Sequence, residues 1–192
     1  MNKSANQIRI ISGQWRGRKI HFPDRPGLRP TSDRIRETLF NWLIPYTGGA
    51  DCLDLFAGSG ALGFEAASRG ASRVVIVEKT REVYNSLKAT KNMLSADAVS
   101  VIFDDALSWL KINNETFNII FLDPPFDSDL LISASQLILE TRSLKAGGLL
   151  YIEARSDMDL SLFAGWQIVK SSAAGQVQYA LLTAKEIPCT NE

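Results

Sequence analysis

Beyond residue 50 the chain alternates between two rhythms. Short apolar runs rich in β-branched residues fall near 51–56, 73–78, 99–103, 117–122 and 147–154 and read as strands. Between them, at 60–69, 81–95, 105–111 and 129–142, apolar residues recur every three or four positions, the period of a helix packed by one face. This alternation predicts an α/β fold with a parallel, doubly wound sheet. Two last apolar segments, near 166–172 and 175–183, meet at Ala174-Gly175 and predict an antiparallel hairpin.

Ahead of this core, residues 8–11 and 18–22 flank Gly13 and Gly17 and predict a small β-hairpin. Pro23 to Pro30 reads as a loop. Thr31 is the expected N-cap of a helix that runs to about Leu43, with Asp33 in its first turn. Ile35, Leu39 and Trp42 or Leu43 fall at core spacing, which leaves Arg34 and Glu37 on the polar side, and Pro45 and Gly48-Gly49 stop the helix. The expected organisation is a basic N-terminal extension over 1–30, a main domain over 31–185 and a tail over 186–192, with no internal repeat.

Length and composition suit one soluble domain: 192 residues, 45% hydrophobic and 22% charged. No apolar run approaches the roughly 20 residues that span a bilayer. The polar N-terminus lacks the apolar stretch of a signal peptide, so a cytoplasmic location is expected. Two cysteines, one of them in a predicted strand, argue against a disulfide framework; one histidine, His21, and no Cys/His cluster argue against a metal. Net charge is zero, yet it is segregated. Residues 1–36 carry Lys3, Arg9, Arg16, Arg18, Lys19, Arg25, Arg29, Arg34 and Arg36 against Asp24 and Asp33, a net +7, and the remainder carries −7. Such asymmetry points to nucleic acid, and the excess of arginine over lysine favours phosphate forks and base stacking. Arg9, Trp15, Arg16, Arg18, Arg29 and Arg34 are the expected nucleic-acid contacts, with Trp15 either stacking on bases or anchoring the extension.

Two motifs carry the chemistry. Residues 52–64 read Cys-Leu-Asp-Leu-Phe-Ala-Gly-Ser-Gly-Ala-Leu-Gly-Phe, a strand, a glycine-rich turn and a helix start. Glycines admit a ligand close to the backbone, and the helix N-terminus offers free N–H groups. Gly58, Gly60 and Gly63 match the dinucleotide spacing G-x-G-x-x-G, with Glu78 twenty residues beyond Gly58, a pattern that would also fit NAD. Asp54, four residues before the first glycine, would repel a pyrophosphate and suits the amino and sulfonium groups of S-adenosylmethionine. Downstream, Ile119–Leu122 runs into Asp123-Pro124-Pro125-Phe126. The prolines bring no N–H, so the turn offers only acceptors, with an aromatic ring beside them. A planar amine such as that of a nucleobase suits this ledge.

Together these blocks resemble a class I S-adenosylmethionine-dependent methyltransferase. More narrowly, with Ile-Arg-Ile-Ile-Ser-Gly-Gln-Trp-Arg-Gly-Arg at 8–18, the block at 28–43 and Gly-Gln-Val-x-Tyr at 175–179, the chain resembles the bacterial small-subunit ribosomal RNA guanine-N2 methyltransferases of the RsmD type from about Gln7 to Leu182. The resemblance implies a Rossmann-like, seven-stranded, mostly parallel sheet with a C-terminal antiparallel hairpin and a small N-terminal hairpin and helix. It implies S-adenosylmethionine held by Asp54, Phe56, Gly58 and Gly60 at its methionine end, by Glu78 at the ribose, and by Asp105 with the N–H of Ala106 at the adenine. The neighbouring acid, Asp104, is an alternative for the adenine, and whichever of the two does not bind adenine would cap the next helix. Asp123, Pro124, Pro125 and Phe126 become the reaction site for a guanine N2 amine, guanine-966 of 16S rRNA in assembled or nearly assembled 30S particles, acted on by a monomer without a metal. The same motifs leave open a DNA adenine-N6 or cytosine-N4 methyltransferase, a protein glutamine-N5 methyltransferase, an NAD-dependent oxidoreductase and a non-catalytic RNA-binding module.

Overall fold

The structure is a computed structural model of the whole chain, and it describes residues 6–25, 28, 30–126 and 129–185. Of the expectations above, Arg29, Lys3 and the tail over 186–192 lie outside the described residues. A hairpin, β1 (Asn6–Arg9) and β2 (Lys19–Phe22), precedes α1 (Asp33–Trp42) and the short α2 (Ile44–Thr47). Then come β3 (Asp51–Asp54), α3 (Ala61–Ser68), β4 (Arg73–Glu78), α4 (Arg81–Leu94), β5 (Val99–Phe103), α5 (Ala106–Ile112), β6 (Phe117–Leu122), α6 (Leu130–Glu140), β7 (Leu144–Arg155), β8 (Trp166–Ala174) and β9 (Val177–Ala184). The main sheet has seven strands in the order β5-β4-β3-β6-β7-β9-β8. The first five pair in parallel, and β9 runs antiparallel to both of its neighbours.

Alternation along the strands feeds two cores. Cys52, Val74, Ile76, Ile119 and Phe121 face one side, packed with α1, α3 and α4, while Leu53, Val75, Val77, Ile120 and Leu122 face the other, packed with α5 and α6. Both faces are covered, so the strands are apolar throughout, as parallel strands are. Each fully buried side chain of this size contributes about 1.5–3 kcal/mol by leaving water. No helix among the described residues is long and apolar enough to cross a membrane.

Three local expectations are corrected. The N-cap of α1 is Ser32, whose hydroxyl accepts from the Ile35 N–H at 3.4 Å, because Thr31 is turned inward. Pro45 does not end helical structure; it occupies the first turn of α2, where a missing N–H costs nothing. Strand β7 begins at Leu144, and its first half was concealed by Gly147 and Gly148, where the register with β6 shifts.

The basic extension is built into the body. Ile8, Ile10, Ile20 and Phe22 of the hairpin share the core of α3 and α4. Gly13, at φ +82°, lies so close to the end of α3 that a Cβ there would fall 1.9 Å from the Ser68 carbonyl oxygen. The Gln14 N–H donates to that oxygen at 2.7 Å, and the Ser68 hydroxyl donates to the Ser12 carbonyl at 2.6 Å. The N–H groups of Ile11 and Ser12 donate to the two carboxylate oxygens of Glu65, at 2.8 and 3.0 Å. Glu65 is also paired with Arg69 at 2.7 Å and Arg36 at 3.6 Å, and the side chains of Glu65 and Arg36 are 0% exposed. Trp15 is 8% exposed within the same core. Of its two expected roles it fills the second: the ring anchors the hairpin and is not available to stack on RNA.

Candidate active site

Strand order reverses between β3 and β6, the switch point at which open α/β sheets bind ligands beyond their carboxyl ends. A cleft of about 940 Å³ opens there. Asp54, Phe56, Gly58, Glu78, Asp105 and Ala106 line it, and so do Asp123, Pro124, Pro125 and Phe126. The adjacency of β3 and β6 thus brings two motifs that are distant in the chain to one wall. Gly60 is the exception among the predicted cofactor residues. It is buried behind the loop at φ +76°, where a Cβ would lie 2.6 Å from Leu87 and 2.8 Å from Phe64. Packing therefore requires glycine at 60, whereas at 58, with φ +49°, a Cβ would meet nothing nearer than Leu28 and the Phe56 carbonyl oxygen, both at 3.9 Å.

The acids at the strand ends are each tethered. The Oδ2 of Asp54 accepts from the Gly63 N–H at 2.9 Å, so a strand residue caps α3 in place of Gly60, which has no side chain to do so. Burial pushes the Asp54 carboxyl up, the Gly63 N–H opposes this, and the Glu78 charge adds to it, leaving the pKa at about 7. Glu78 accepts from the Thr80 N–H at 2.6 Å. Asp105 caps α5: its Oδ1 accepts from Leu107 and Ser108 at 3.1 and 3.2 Å, and its Oδ2 lies 4.0 Å from the Lys79 ammonium. The capping acid is thus the one expected at the adenine, while Asp104 closes on the Asp105 N–H at 2.8 Å. Cys52, buried in β3, is pushed up to about 12 by burial, which leaves a structural thiol and no nucleophile.

At the second motif the Asp123 Oδ2 accepts the Thr31 hydroxyl at 3.2 Å. Burial raises the Asp123 carboxyl well above the usual carboxylate range, the Glu153 charge raises it further, and the Thr31 hydrogen bond opposes both. Phe126 stands 40% exposed beside it. Among the lining residues that the sequence did not mark for the site are Thr31, Glu153 and Leu28. Glu153 carried a signal, since it is the lone acid ending the apolar run Leu149–Ile152, as Asp54 and Asp123 end theirs. Thr31 and Leu28 belong to the block at 28–43 that carries the resemblance, but nothing local to it points to the cleft, because the loop ahead of α1 reaches the cleft only through the tertiary fold. The expected RNA contacts Arg9, Arg16, Arg18 and Arg34 are exposed on the hairpin and α1 and do not line the cleft; Arg25 and Arg155 do.

Residues 8–183 match the profile of the family described as Conserved hypothetical protein 95. A ribosomal RNA small subunit methyltransferase D of Escherichia coli strain K12 is 45% identical over 181 residues, covering 94% of this chain and 91% of that protein. The solved structure of the putative methyltransferase yhhF from Escherichia coli superposes with a TM-score of 0.84 at 43% identity, covering 94% of this chain and 99% of that one. A putative methyltransferase complexed with SAH, at 18% identity and a TM-score of 0.69 over 86% of this chain and 53% of that one, shares the fold. By the reach of the profile and the extent of these identities, the chain belongs to the Conserved hypothetical protein 95 family, the family of the RsmD proteins.

Proposed function

We propose that the protein methylates an exocyclic amine of ribosomal RNA with S-adenosylmethionine as cofactor, and that the amine is the N2 of a guanine in 16S rRNA. The observation that carries this reading is the meeting of Asp123-Pro124-Pro125-Phe126 with the glycine loop of β3 in one cleft. The names of the relatives support the RNA substrate, and the family resemblance supplies guanine-966 and the 30S particle. The cleft fits the cofactor by its chemistry: Asp54 for a cationic methionine end, a backbone that Gly58 opens, Glu78 for ribose hydroxyls, and Asp105 with Ala106 for an adenine edge. When bound, that cofactor supplies an electrophilic methyl on a sulfonium.

The chain's own residues do the rest. The N2 lone pair of guanine is delocalised into its ring and is a weak nucleophile. The Asp123 carboxylate and the Pro124 carbonyl accept its two N–H bonds, which favours a pyramidal nitrogen and turns the lone pair outward. The carboxylate also stabilises the positive charge that develops on nitrogen. Phe126 replaces the stacking that the base loses on leaving the RNA. Arg9, Arg16, Arg18, Arg29 and Arg34 hold phosphates, with the protein acting as a monomer. Supplying tritiated cofactor together with undermethylated 30S subunits, naked 16S rRNA, duplex DNA or peptide tests the reading. Label in 30S subunits or 16S rRNA supports it. Label confined to DNA or peptide, or tight binding of NAD with no methyl transfer, overturns it.

A further inference from the structure

Glu153 has no part in the reading above, yet it is 3% exposed, lines the cleft and sits next to its most important acid. Strands β6 and β7 run parallel with Leu122 opposite Ile152, so the following residues, Asp123 and Glu153, stand side by side at the same end of the sheet. Strand alternation puts both on the face that carries Phe121 and Tyr151. The Tyr151 hydroxyl donates to the Glu153 Oε1 at 2.8 Å, and the Thr31 hydroxyl donates to Asp123 at 3.2 Å while also lying against Glu153. We propose that Asp123 and Glu153 hold one proton between them, with the Thr31 hydroxyl as the bridge, and that Glu153 stores that proton while Asp123 engages the amine.

Two carboxylates this close in a partly dry cleft do not both ionise readily. Without substrate the charge rests on Glu153, which the Tyr151 hydroxyl stabilises at 2.8 Å, and the proton rests on Asp123. The other groups facing the pair do not reverse this. Asp54 from β3 is a further acid, Tyr151 and Tyr179 bring phenol groups and no cation, and the Arg155 guanidinium two residues on is engaged by Asp157 at 3.1 and 2.9 Å. When the amine docks, its N–H bonds favour a charged Asp123, and the proton crosses to Glu153. The site thereby presents a carboxylate without exchanging a proton with bulk water.

For the chemistry the inference rests on the methyl-transfer reading. The nitrogen lone pair forms the N–C bond, the S–C bond breaks with its electron pair left on sulfur, and the nitrogen carries a positive charge. An N–H bond then breaks, its electron pair returns to nitrogen, and the proton goes to Asp123. Both acids are now protonated, and one proton leaves to water with the product.

Carbon-13 NMR of the side-chain carboxyls of the full-length, ligand-free protein, titrated with pH, tests the pair directly. Asp123→Asn and Glu153→Gln assign the two signals. Glu153→Gln lowers the Asp123 midpoint by about one pH unit or more, whereas Asp123→Asn, which leaves a neutral group beside Glu153, keeps the lower Glu153 midpoint nearly in place, because only the second ionisation of a coupled pair meets the charge of the first. Thr31→Val raises both midpoints. In pH profiles of kcat/KM with 30S subunits, Glu153→Gln moves the acid limb to lower pH, since Asp123 ionises sooner. If Glu153→Gln does not fold, the unaltered protein reads the coupling as a second inflection of the Glu153 signal at the Asp123 midpoint, which Asp123→Asn abolishes. An Asp123 midpoint that ignores Glu153→Gln would overturn the proposal and leave Glu153 a structural acid. Coupled midpoints in a protein that methylates no RNA would keep the acid pair and sink the functional reading instead.

Discussion

At the end of β3, Asp54 meets two demands with one carboxylate. One oxygen caps α3 through the Gly63 N–H, and the group borders the cleft where a cationic ligand would lie. Its pKa, about 7 against an ordinary 3.8, has a definite sign. The folded protein without ligand holds a proton that the unfolded chain sheds above pH 3.8. This group's contribution to the stability of the free protein therefore grows as pH falls below about 7 and is absent above it. A cationic ligand prefers the ionised form, so the trend for binding is the reverse. Affinity for S-adenosylmethionine is expected to rise with pH, approaching about tenfold per pH unit below the Asp54 midpoint, with proton release on binding. Calorimetry at pH 6 and pH 8 in buffers of different ionisation heat measures both; a flat affinity would remove Asp54 from the methionine end. Glu78 belongs to the same scale. Glu78→Ala removes a charge-assisted hydrogen bond worth about 1.5–3 kcal/mol, so cofactor binding should weaken at least about tenfold. Unchanged affinity would move the ribose contact elsewhere.

Among the elements, the contact that organises the molecule is between the N-terminal hairpin and α3. The Arg36–Glu65 pair is wholly buried, whereas Arg25–Glu82 is exposed at 43% and 62%. That difference decides their worth. Removing one partner of a buried pair strands the other charge and costs about 3–5 kcal/mol, while an exposed pair contributes about 0–1 kcal/mol. Glu65→Gln should therefore lower the unfolding free energy by several times as much as Glu82→Gln, as read by urea denaturation. Equal effects would show that the buried cluster does not hold the hairpin. Much of this level was legible in the sequence, because strand and helix periods survive any packing: β4, β5 and β6 begin and end where the apolar runs do. What period cannot show is partnership across the chain. Arg36 follows Ile35 in a helix and looks solvated, yet it is buried because Glu65, the Arg9 carbonyl and Asp33 reach it from three places. Thr31 was misassigned as a cap for the same reason, since its true partner, Asp123, is 92 residues away.

On the scale of the whole molecule, charge is divided between a basic N-terminal segment and an acidic remainder. The sequence exposed that division fully, along with both cleft motifs, since each motif is local. It could not show that the segment is packed into the core, and this alters how its role should be tested. Deleting residues 1–20 would strip out Ile8, Ile10, Trp15 and Ile20 and take from Glu65 the N–H groups of Ile11 and Ser12, so the loss would be of stability before RNA binding. Exposed arginines are the cleaner probe. Arg16→Ala with Arg18→Ala should weaken binding to RNA or 30S subunits and reduce the slope of log affinity against log salt by about 0.7–0.9 for each phosphate no longer neutralised. Cofactor affinity should not change. An unchanged slope would make those charges a solvated face.

The central claim is that Asp123 and its prolines present a guanine N2 amine to a methyl donor bound over the glycine loop. The most direct measurement is single-turnover methyl transfer to undermethylated 30S subunits, with the product RNA digested to nucleosides and identified by mass spectrometry, for the unaltered protein and for Asp123→Asn. The account predicts N2-methylguanosine from the unaltered protein. It predicts a rate about 10²–10³ lower for the variant, the usual loss when one preorganised charge-stabilising group is removed, with cofactor affinity nearly intact. Methyl groups on any other nucleoside, or an Asp123→Asn variant that keeps half the rate, would contradict it.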